Sequence, residues 1–358
     1  MLKSGRLRKR FYQSFLLTLF GGLAIVACTV FLLRMVISPP AIPAHAIMPF
    51  FPEIVINPER NYPAFDIVDA HPDDERVNTE LPIQDEWVRR KDFFTLLLFG
   101  YDSGLNTDTI MVASFDAVRR EAHIVSIPRD TRINVQRNIA RINSAYPVGR
   151  QGGRGHDGGV AQLQRELQTV IGFIPDFYVS VEERAFIRIV DAVGGVNINV
   201  PFHMYYTDPC DDLHINIPAG QQRLGGQQAL HFVRYRLGNN PGRNISDYQR
   251  MRNQQHFIRA MMDELLSPRT VLRIPEFIST YRDHVRTDLS LTELLWFAEQ
   301  FVLGDVTLHT HNYPTESVRL THWYEIPKAE EALELINRTI NPFTKALTLD
   351  NLQLAGLE

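Results

Sequence analysis

Three hydrophobic rhythms run along this chain. From Phe11 to Leu33 no residue carries a charge, which in a helix rising about 1.5 Å per residue is enough to cross roughly 30 Å of hydrocarbon. Lys3, Arg6, Arg8, Lys9 and Arg10 precede it with no acid among them. The pattern predicts a transmembrane helix over 11–37, with the basic tail 1–10 cytoplasmic and the rest of the chain outside. A cleaved signal peptide fits less well, because its apolar region is shorter and ends in a small-residue cleavage site.

The second rhythm starts near Lys91. "DFFTLLLFG", "TIMVASFD" and "EAHIVSIPRD" are short, apolar and stopped by turn or charged residues, as buried strands are. In the third, "GGVAQLQRELQTVIGF" places Val160, Leu163, Leu167, Val170 and Ile171 at helical spacing. "DFYVSV" and "VNINVP" read as strands, and "RAFIRIVDAVGG" as a short helix turned by its glycines. A further helix is predicted from about Asp247 to Leu266, and "SLTELLWFAEQFVL" opens on a capping box of Ser290 and Glu293. Alternating strands and helices predict an α/β fold, an α/β/α layered domain around a central mixed sheet.

Composition divides the rest. Residues 38–90 hold nine of the 21 prolines and ten acids against four basic residues, which predicts an extended, mostly solvated stalk. The folded part is read as a domain over 91–268 and a C-terminal extension over 269–358 packed on it, with a hairpin in "VTLHTHNYPTESVRLTHWYEIP" and a closing helix in "KAEEALELINRTI". Against 37 Lys plus Arg stand 41 Asp plus Glu, so net charge gives no reason to bind nucleic acid. Cys28 lies in the apolar span and Cys210 is alone beyond it, leaving no disulfide there. "HTH" at 309–311 reads as surface strand and not as a metal site.

Against this balance, residues 229–255 carry five arginines and one acid, Asp247. If "HFVRYR" is extended, Arg234 and Arg236 project from one face. Asp247, Arg250 and Gln254 share a helix face. Arg129 follows Pro128 at a strand end, where open sheets commonly hold ligands. Asp102 and Asp108 flank a short loop after the first strand. Each residue has a plainer reading: an exposed ion pair worth under about 1 kcal/mol, or an acid capping a turn. The set, so poor in counter-acids, points to a bound anion, and two adjacent carboxylates suit Mg²⁺, which takes one or two of them plus phosphate oxygens.

"TDTIMV", "VSIPRDT", "RINSAY", "IVDAVGGVNINVP", "IPAGQQRLGGQQALHFVRYR" and "DYQRMRNQQ", in this order, resemble the motif set of the LytR-CpsA-Psr family of bacterial cell-wall glycopolymer ligases over roughly residues 92–266. The resemblance implies an apolar tunnel for a polyprenyl chain with its pyrophosphate at the mouth, and transfer of glycan-phosphate from that carrier to a peptidoglycan sugar hydroxyl. It implies that Asp102 and Asp108 hold Mg²⁺, that Arg129, Arg234, Arg236 and Arg250 contact the pyrophosphate, and that Asp247 and Gln254 fill the remaining polar positions. Two positions depart from the family: Asn106 stands where an arginine is usual, and the closing pair is Asn253 and Gln254, with Arg252 displaced by one.

The chemistry is coherent. A pyrophosphate loses its water only against paired cations, and guanidinium forks supply them. A metal ion with arginines can spread the charge of phosphoryl transfer. An acid set between arginines makes a poor base, so Asp247 is expected to hold Arg250 more than to take a proton. The two departures keep open a non-catalytic or hydrolytic binder of the same lipid-linked glycan. The glycines of "GRQGGRGHDGG" lack the Lys-Ser/Thr pair of a P-loop and are expected to form a mobile loop at the pocket mouth.

Overall fold

The computed structural model describes residues 37–50, 87–102, 106–208, 213–239, 243–265 and 285–355. The three apolar runs become β1 (Phe93–Tyr101), β2 (Thr107–Asp116) and β3 (Glu121–Ile127), an antiparallel meander. Then come helices α1 (Ala145–Arg150) and α2 (Gly155–Ile171), strand β4 (Phe177–Glu182) and helix α3 (Glu183–Ala192). Two ribbons follow, β5 (Val196–Val200) paired with β8 (Gly220–Leu224), and β6 (Met204–Asp208) paired with β7 (Leu213–Ile217). Helices α4 (Gly226–Arg234) and α5 (Asp247–Leu265) and strand β9 (Val285–Thr287) complete this stretch.

The main sheet runs β10-β3-β2-β1-β4-β9, with β10 being Thr307–Asn312. β4 is parallel to β1 and β10 parallel to β3, so the sheet is mixed. One core joins Leu97, Phe99, Val112 and Val125 of the sheet to Leu163 and Leu167 of α2 and to Ile336 of α7 (Ala329–Thr339), all fully or nearly fully buried. A second core gathers Val190, Ile198, Phe232 and Phe257 from α3, β5, α4 and α5. Gln255 ties α5 to the sheet by donating to Ser126 Oγ at 2.9 Å and Asn312 Oδ1 at 2.8 Å. The mixed α/β layering expected from the sequence is therefore present.

Several expectations change. The glycine-rich stretch 149–159 is only in part a connection: it ends α1, passes through a short turn with Gly152 and Gly153 at positive φ, and begins α2. A Cβ on Gly149 would collide with the carbonyl of Gly158, and one on Gly159 would stand 2.6 Å from the Tyr146 ring. Those glycines let two helices cross closely. "HFVRYR" is helical through Arg234 rather than extended. The hairpin is confined to β11 (Thr315–Arg319) and β12 (Trp323–Pro327), since "TLHTHN" joins the main sheet as β10. Residues 43–50, counted with the stalk on composition, include a buried Ala46, and Phe50 N–H donates to Gly172 O at 2.7 Å.

The uncharged segment 11–33 and most of the stalk lie outside the described residues. Among the described residues, no helix is long and apolar enough to cross a membrane. Helix α6 (Leu291–Leu303) belongs to a unit separate from the one that holds the main sheet. Its expected capping box is present: Ser290 N–H donates to Glu293 Oε2 at 2.8 Å, and Glu293 N–H to Ser290 Oγ at 3.4 Å.

Candidate active site

The arginines converge because three helix or strand ends meet. Helix α4 stops where Tyr235 leaves helical geometry (φ −52°, ψ 125°). Its ring is 1% exposed and its hydroxyl donates to Arg243 O at 3.0 Å. That buried anchor leaves Arg234 and Arg236, on either side of it, at the rim of a cleft, their side chains 45% and 46% exposed. The expectation that they share a site holds, through a buried tyrosine and not through strand geometry.

Arg129 enters from the end of β3. Thr131 N–H and Oγ both donate to Pro128 O, at 3.0 and 2.6 Å, fixing the turn. Arg129 Nη1 is 2.7 Å from Asp108 Oδ1. Asp247 opens α5, and Arg250, one turn later, is the most buried of the set at 6% side-chain exposure. Asp247 Oδ1 lies 3.2 Å from Arg250 Nη2 and 3.5 Å from Arg236 Nε. The acid is therefore held between two guanidiniums.

The cleft measures about 440 Å³, within the usual range for small-molecule sites of roughly 300–1,000 Å³. Asp108, Arg129, Glu183, Arg234, Arg236 and Arg250 give it a charged lining, and Ile187, Leu213, Ile215, Leu230 and Leu237 an aliphatic one. The Nε atoms of Arg129 and Arg250 are buried without a hydrogen-bond partner. Unmet donors of this kind cost free energy unless an acceptor arrives. Burial, reinforced by the charge of Arg129, lowers the Arg250 pKa, with Asp247 and Asp108 opposing. Burial also acts against the Arg129 charge, but Asp108, Asp130 and Asp247 together outweigh it and the pKa rises.

Glu183 was not singled out in the sequence. It begins α3 directly after β4, and its Oε1 is 2.5 Å from Arg234 Nη1. Its pKa is raised, chiefly by burial, against the pull of Arg234 and with help from the charges of Asp102 and Asp108. A strand end in a mixed sheet is the one local signal that pointed there. Leu213 and Ile215 had none.

Two expected residues stand elsewhere. Gln254 is absent from the cleft lining: its Nε2 donates to Thr109 Oγ1 at 3.0 Å and Val233 O at 3.3 Å, tying α5 to β2 and α4. Asp102 accepts a hydrogen bond from Asn106 N–H at 3.0 Å, the turn-capping arrangement. Among the described residues, no three His, Cys, Asp or Glu side chains are grouped closely enough to hold a metal on their own. Asp102 and Asp108 alone would leave most of the coordination of an Mg²⁺ ion to substrate phosphate oxygens and water.

Comparison with known proteins adds a family. The sequence profile of the LytR_cpsA_psr family matches residues 60–341. The polyisoprenyl-teichoic acid–peptidoglycan teichoic acid transferase TagV of Bacillus subtilis is 28% identical over 192 residues, which are 52% of this chain and 46% of that protein. The corresponding TagU transferase of Oceanobacillus iheyensis is 29% identical over 77% of this chain and 81% of its own length. The match thus spans about half of TagV and most of TagU. The crystal structure of B. subtilis TagV superposes with a TM-score of 0.56 at 22% identity, covering 70% of this chain and 97% of that one, a likeness of fold.

Proposed function

Because the chain belongs to the LytR_cpsA_psr family, we propose that it is a membrane-anchored, extracytoplasmic phosphotransferase. In this reading it moves a glycan-phosphate from a polyprenyl pyrophosphate carrier to a sugar hydroxyl of peptidoglycan. Residues 11–37 anchor it, with the N-terminus in the cytoplasm. One observation supports it above the others: Arg129, Arg234, Arg236 and Arg250 line one cleft together with an aliphatic set of side chains. An amphipathic anion with a long apolar tail answers both features.

In this mechanism the prenyl chain lies against Ile187, Leu213, Ile215, Leu230 and Leu237. Arg129, Arg234, Arg236 and Arg250 bind the pyrophosphate, held in place beforehand by Asp108, Glu183 and Asp247. An acceptor hydroxyl oxygen bonds to the glycan-bearing phosphorus while the bond to the bridging oxygen breaks, and polyprenyl phosphate departs. The arginines neutralise the charge that gathers on its oxygens. The hydroxyl proton passes to Glu183, whose pKa burial raises and which one guanidinium engages, rather than to Asp247, which two engage. Mg²⁺, when bound at Asp102 and Asp108, would supply further neutralisation of phosphate oxygens.

The test follows radiolabelled glycan from a polyprenyl pyrophosphate donor in the presence of peptidoglycan strands, with and without chelator. The expected result is label on the strands, lost with chelator. Release of free glycan-phosphate alone would favour a hydrolase, and donor binding without turnover a carrier-binding protein; either outcome refutes transfer.

A further inference from the structure

The β11-β12 hairpin carries a buried acid that the mechanism above does not use. Glu325 is 8% exposed, on a strand that also buries Tyr324 and Ile326. Its carboxylate accepts from hydroxyls: Thr315 Oγ1 donates to Oε2 at 2.6 Å, and Ser317 Oγ donates to Oε1. Thr315 has a single hydroxyl proton, so in the 2.6 Å contact between Tyr248 OH and Thr315 Oγ1 the tyrosine is the donor. The result is a directed chain from Tyr248 through Thr315 to Glu325, with Tyr248 OH itself 3.3 Å from Glu325 Oε2. A buried carboxylate costs free energy that an apolar side chain in the same place would not. Stability alone therefore does not account for Glu325. What it adds is an acceptor in a fixed direction.

Glu325 stands between the two chain segments that carry the more buried arginines. Its backbone pairs with the turn after Arg129: Glu325 N–H donates to Asp130 O at 3.0 Å, and Arg132 N–H to Glu325 O at 2.9 Å. Through Thr315 its side chain reaches Tyr248, in the first turn of α5 between Asp247 and Arg250. Those two segments have a reason to part, because burial and then the charge of Arg129 lower the Arg250 pKa. A capping box begins α5, with Ser246 N–H donating to Gln249 Oε1 at 3.0 Å and Gln249 N–H to Ser246 Oγ at 3.2 Å. It sets where the helix starts and not where it points. Direction needs two fixed points. One lies at Gln254 and Gln255, which bond to β2, β3 and β10; the other is Tyr248. Released there, a tilt of about 8° about Gln255 moves the Arg250 backbone, about 7.5 Å along the axis, by about 1 Å. A misplacement of that size can cost roughly a hundredfold in rate.

We propose that Glu325 and Tyr248 are positioning residues of the anion site: they hold the first turn of α5, and with it Arg250, in register with Arg129, so that one diphosphate meets both. The proposal rests on the phosphotransferase reading above. Neither residue is part of the cleft lining, so both act through Arg250. The rival use of Glu325 is confined to the hairpin, since Thr315 and Ser317 belong to β11 and Glu325 to β12. Tyr248 separates the two uses. Its hydroxyl comes from α5, and a bond that only closed β11 on β12 would have no part for it.

The experiment uses the whole chain in detergent micelles with farnesyl diphosphate as the probe, affinity being read by titration calorimetry and folding by melting temperature. Tyr248→Phe and Glu325→Leu are expected to weaken binding by on the order of tenfold. Glu325→Gln keeps an acceptor oxygen for Thr315 and turns its amide toward Ser317, so it should bind within about threefold of the parent. In an Arg250→Ala background, Tyr248→Phe should change affinity less than about twofold, because the group it positions is gone. A merely structural role would give the same loss in both backgrounds. If Glu325→Leu does not fold, Tyr248→Phe and Glu325→Gln carry the test. Tyr248→Phe that binds within about twofold of the parent, or that loses as much without Arg250 as with it, overturns the proposal. So does Glu325→Gln that binds as weakly as Tyr248→Phe, which would assign the role to the charge. If the variants behave as expected but the parent transfers no glycan, the positioning role stands and the transferase reading falls. A parent that does not bind the probe overturns both.

Discussion

Arg129→Ala is the sharpest perturbation of the site. The side chain is 20% exposed, and Nη1 meets Asp108, itself 27% exposed, at 2.7 Å. Removing the cation leaves Asp108 unpaired but partly solvated, so rehydration limits the loss of stability to about 1–2 kcal/mol. The loss of function should be larger. A guanidinium that contacts diphosphate in a partly desolvated cleft contributes about 2–5 kcal/mol of binding, roughly 30-fold to several thousand-fold in Kd. Arg129→Lys keeps the charge but cannot reach Asp108 and a phosphate oxygen together, so it should recover only part of that loss. Titration calorimetry with farnesyl diphosphate reads the effect directly on the whole chain. Arg243→Ala is the comparison: its guanidinium lies 4.0 Å from the Phe202 ring centroid, outside the cleft lining, and its removal should cost at most about 1 kcal/mol of stability and no affinity. If Arg129→Ala melts like the parent and binds farnesyl diphosphate within twofold of Arg243→Ala, the anion-site reasoning is wrong.

Three further outcomes are expected. Gln254→Ala should lower stability by about 1–3 kcal/mol, because it removes a buried donor to Thr109 and Val233; a chemical denaturation midpoint equal to the parent's would show that those bonds contribute nothing. Burial, aided by Arg286 at His156 and by His123 at His311, lowers both histidines from 6.5 to about 4. The unfolded chain therefore binds protons first, and stability should fall as pH drops from about 6.5 toward 4, with a shallower fall of melting temperature in His311→Gln; equal slopes would remove His311 from the account. Alkaline phosphatase fused after the last residue should be active and a cytoplasmic reporter silent at the same position, and the reverse pattern would overturn the topology drawn from the basic N-terminus.

Much was legible because it is written in local spacing. Strand and helix types follow from the periods of apolar residues, which is why β1 to β4, α2 and α5 fall where the pattern put them. Arg234, Arg236 and Arg250 stood out from charge density in one short segment, since a cluster of one sign is visible in any neighbourhood of the chain, while Arg129 stood out by its place at a strand end and Asp247 by sharing a helix face with Arg250. The helical state of "HFVRYR" was misjudged because two-residue spacing is equally present in a helix end followed by an extended residue. Only the buried Tyr235 decides between them.

What the fold alone decided is which distant residues meet and how much water each keeps. The parallel pairing of β1 with β4 brings Glu183 within electrostatic reach of Asp102 and Asp108. The β6-β7 ribbon supplies Leu213 and Ile215, and α5 shields Arg250 to 6% exposure while Arg236 keeps 46%. Gln254 lies on the expected helix face, yet its amide is taken up by β2 and α4. Gly149, Gly158 and Gly159, read as loop by composition, serve a helix crossing that needs two backbones in contact. A residue type limits the chemistry a site can perform. The dielectric, the partners and the free hydrogen-bonding capacity that turn it into a site come from packing between segments far apart in the chain, and those are set by tertiary structure.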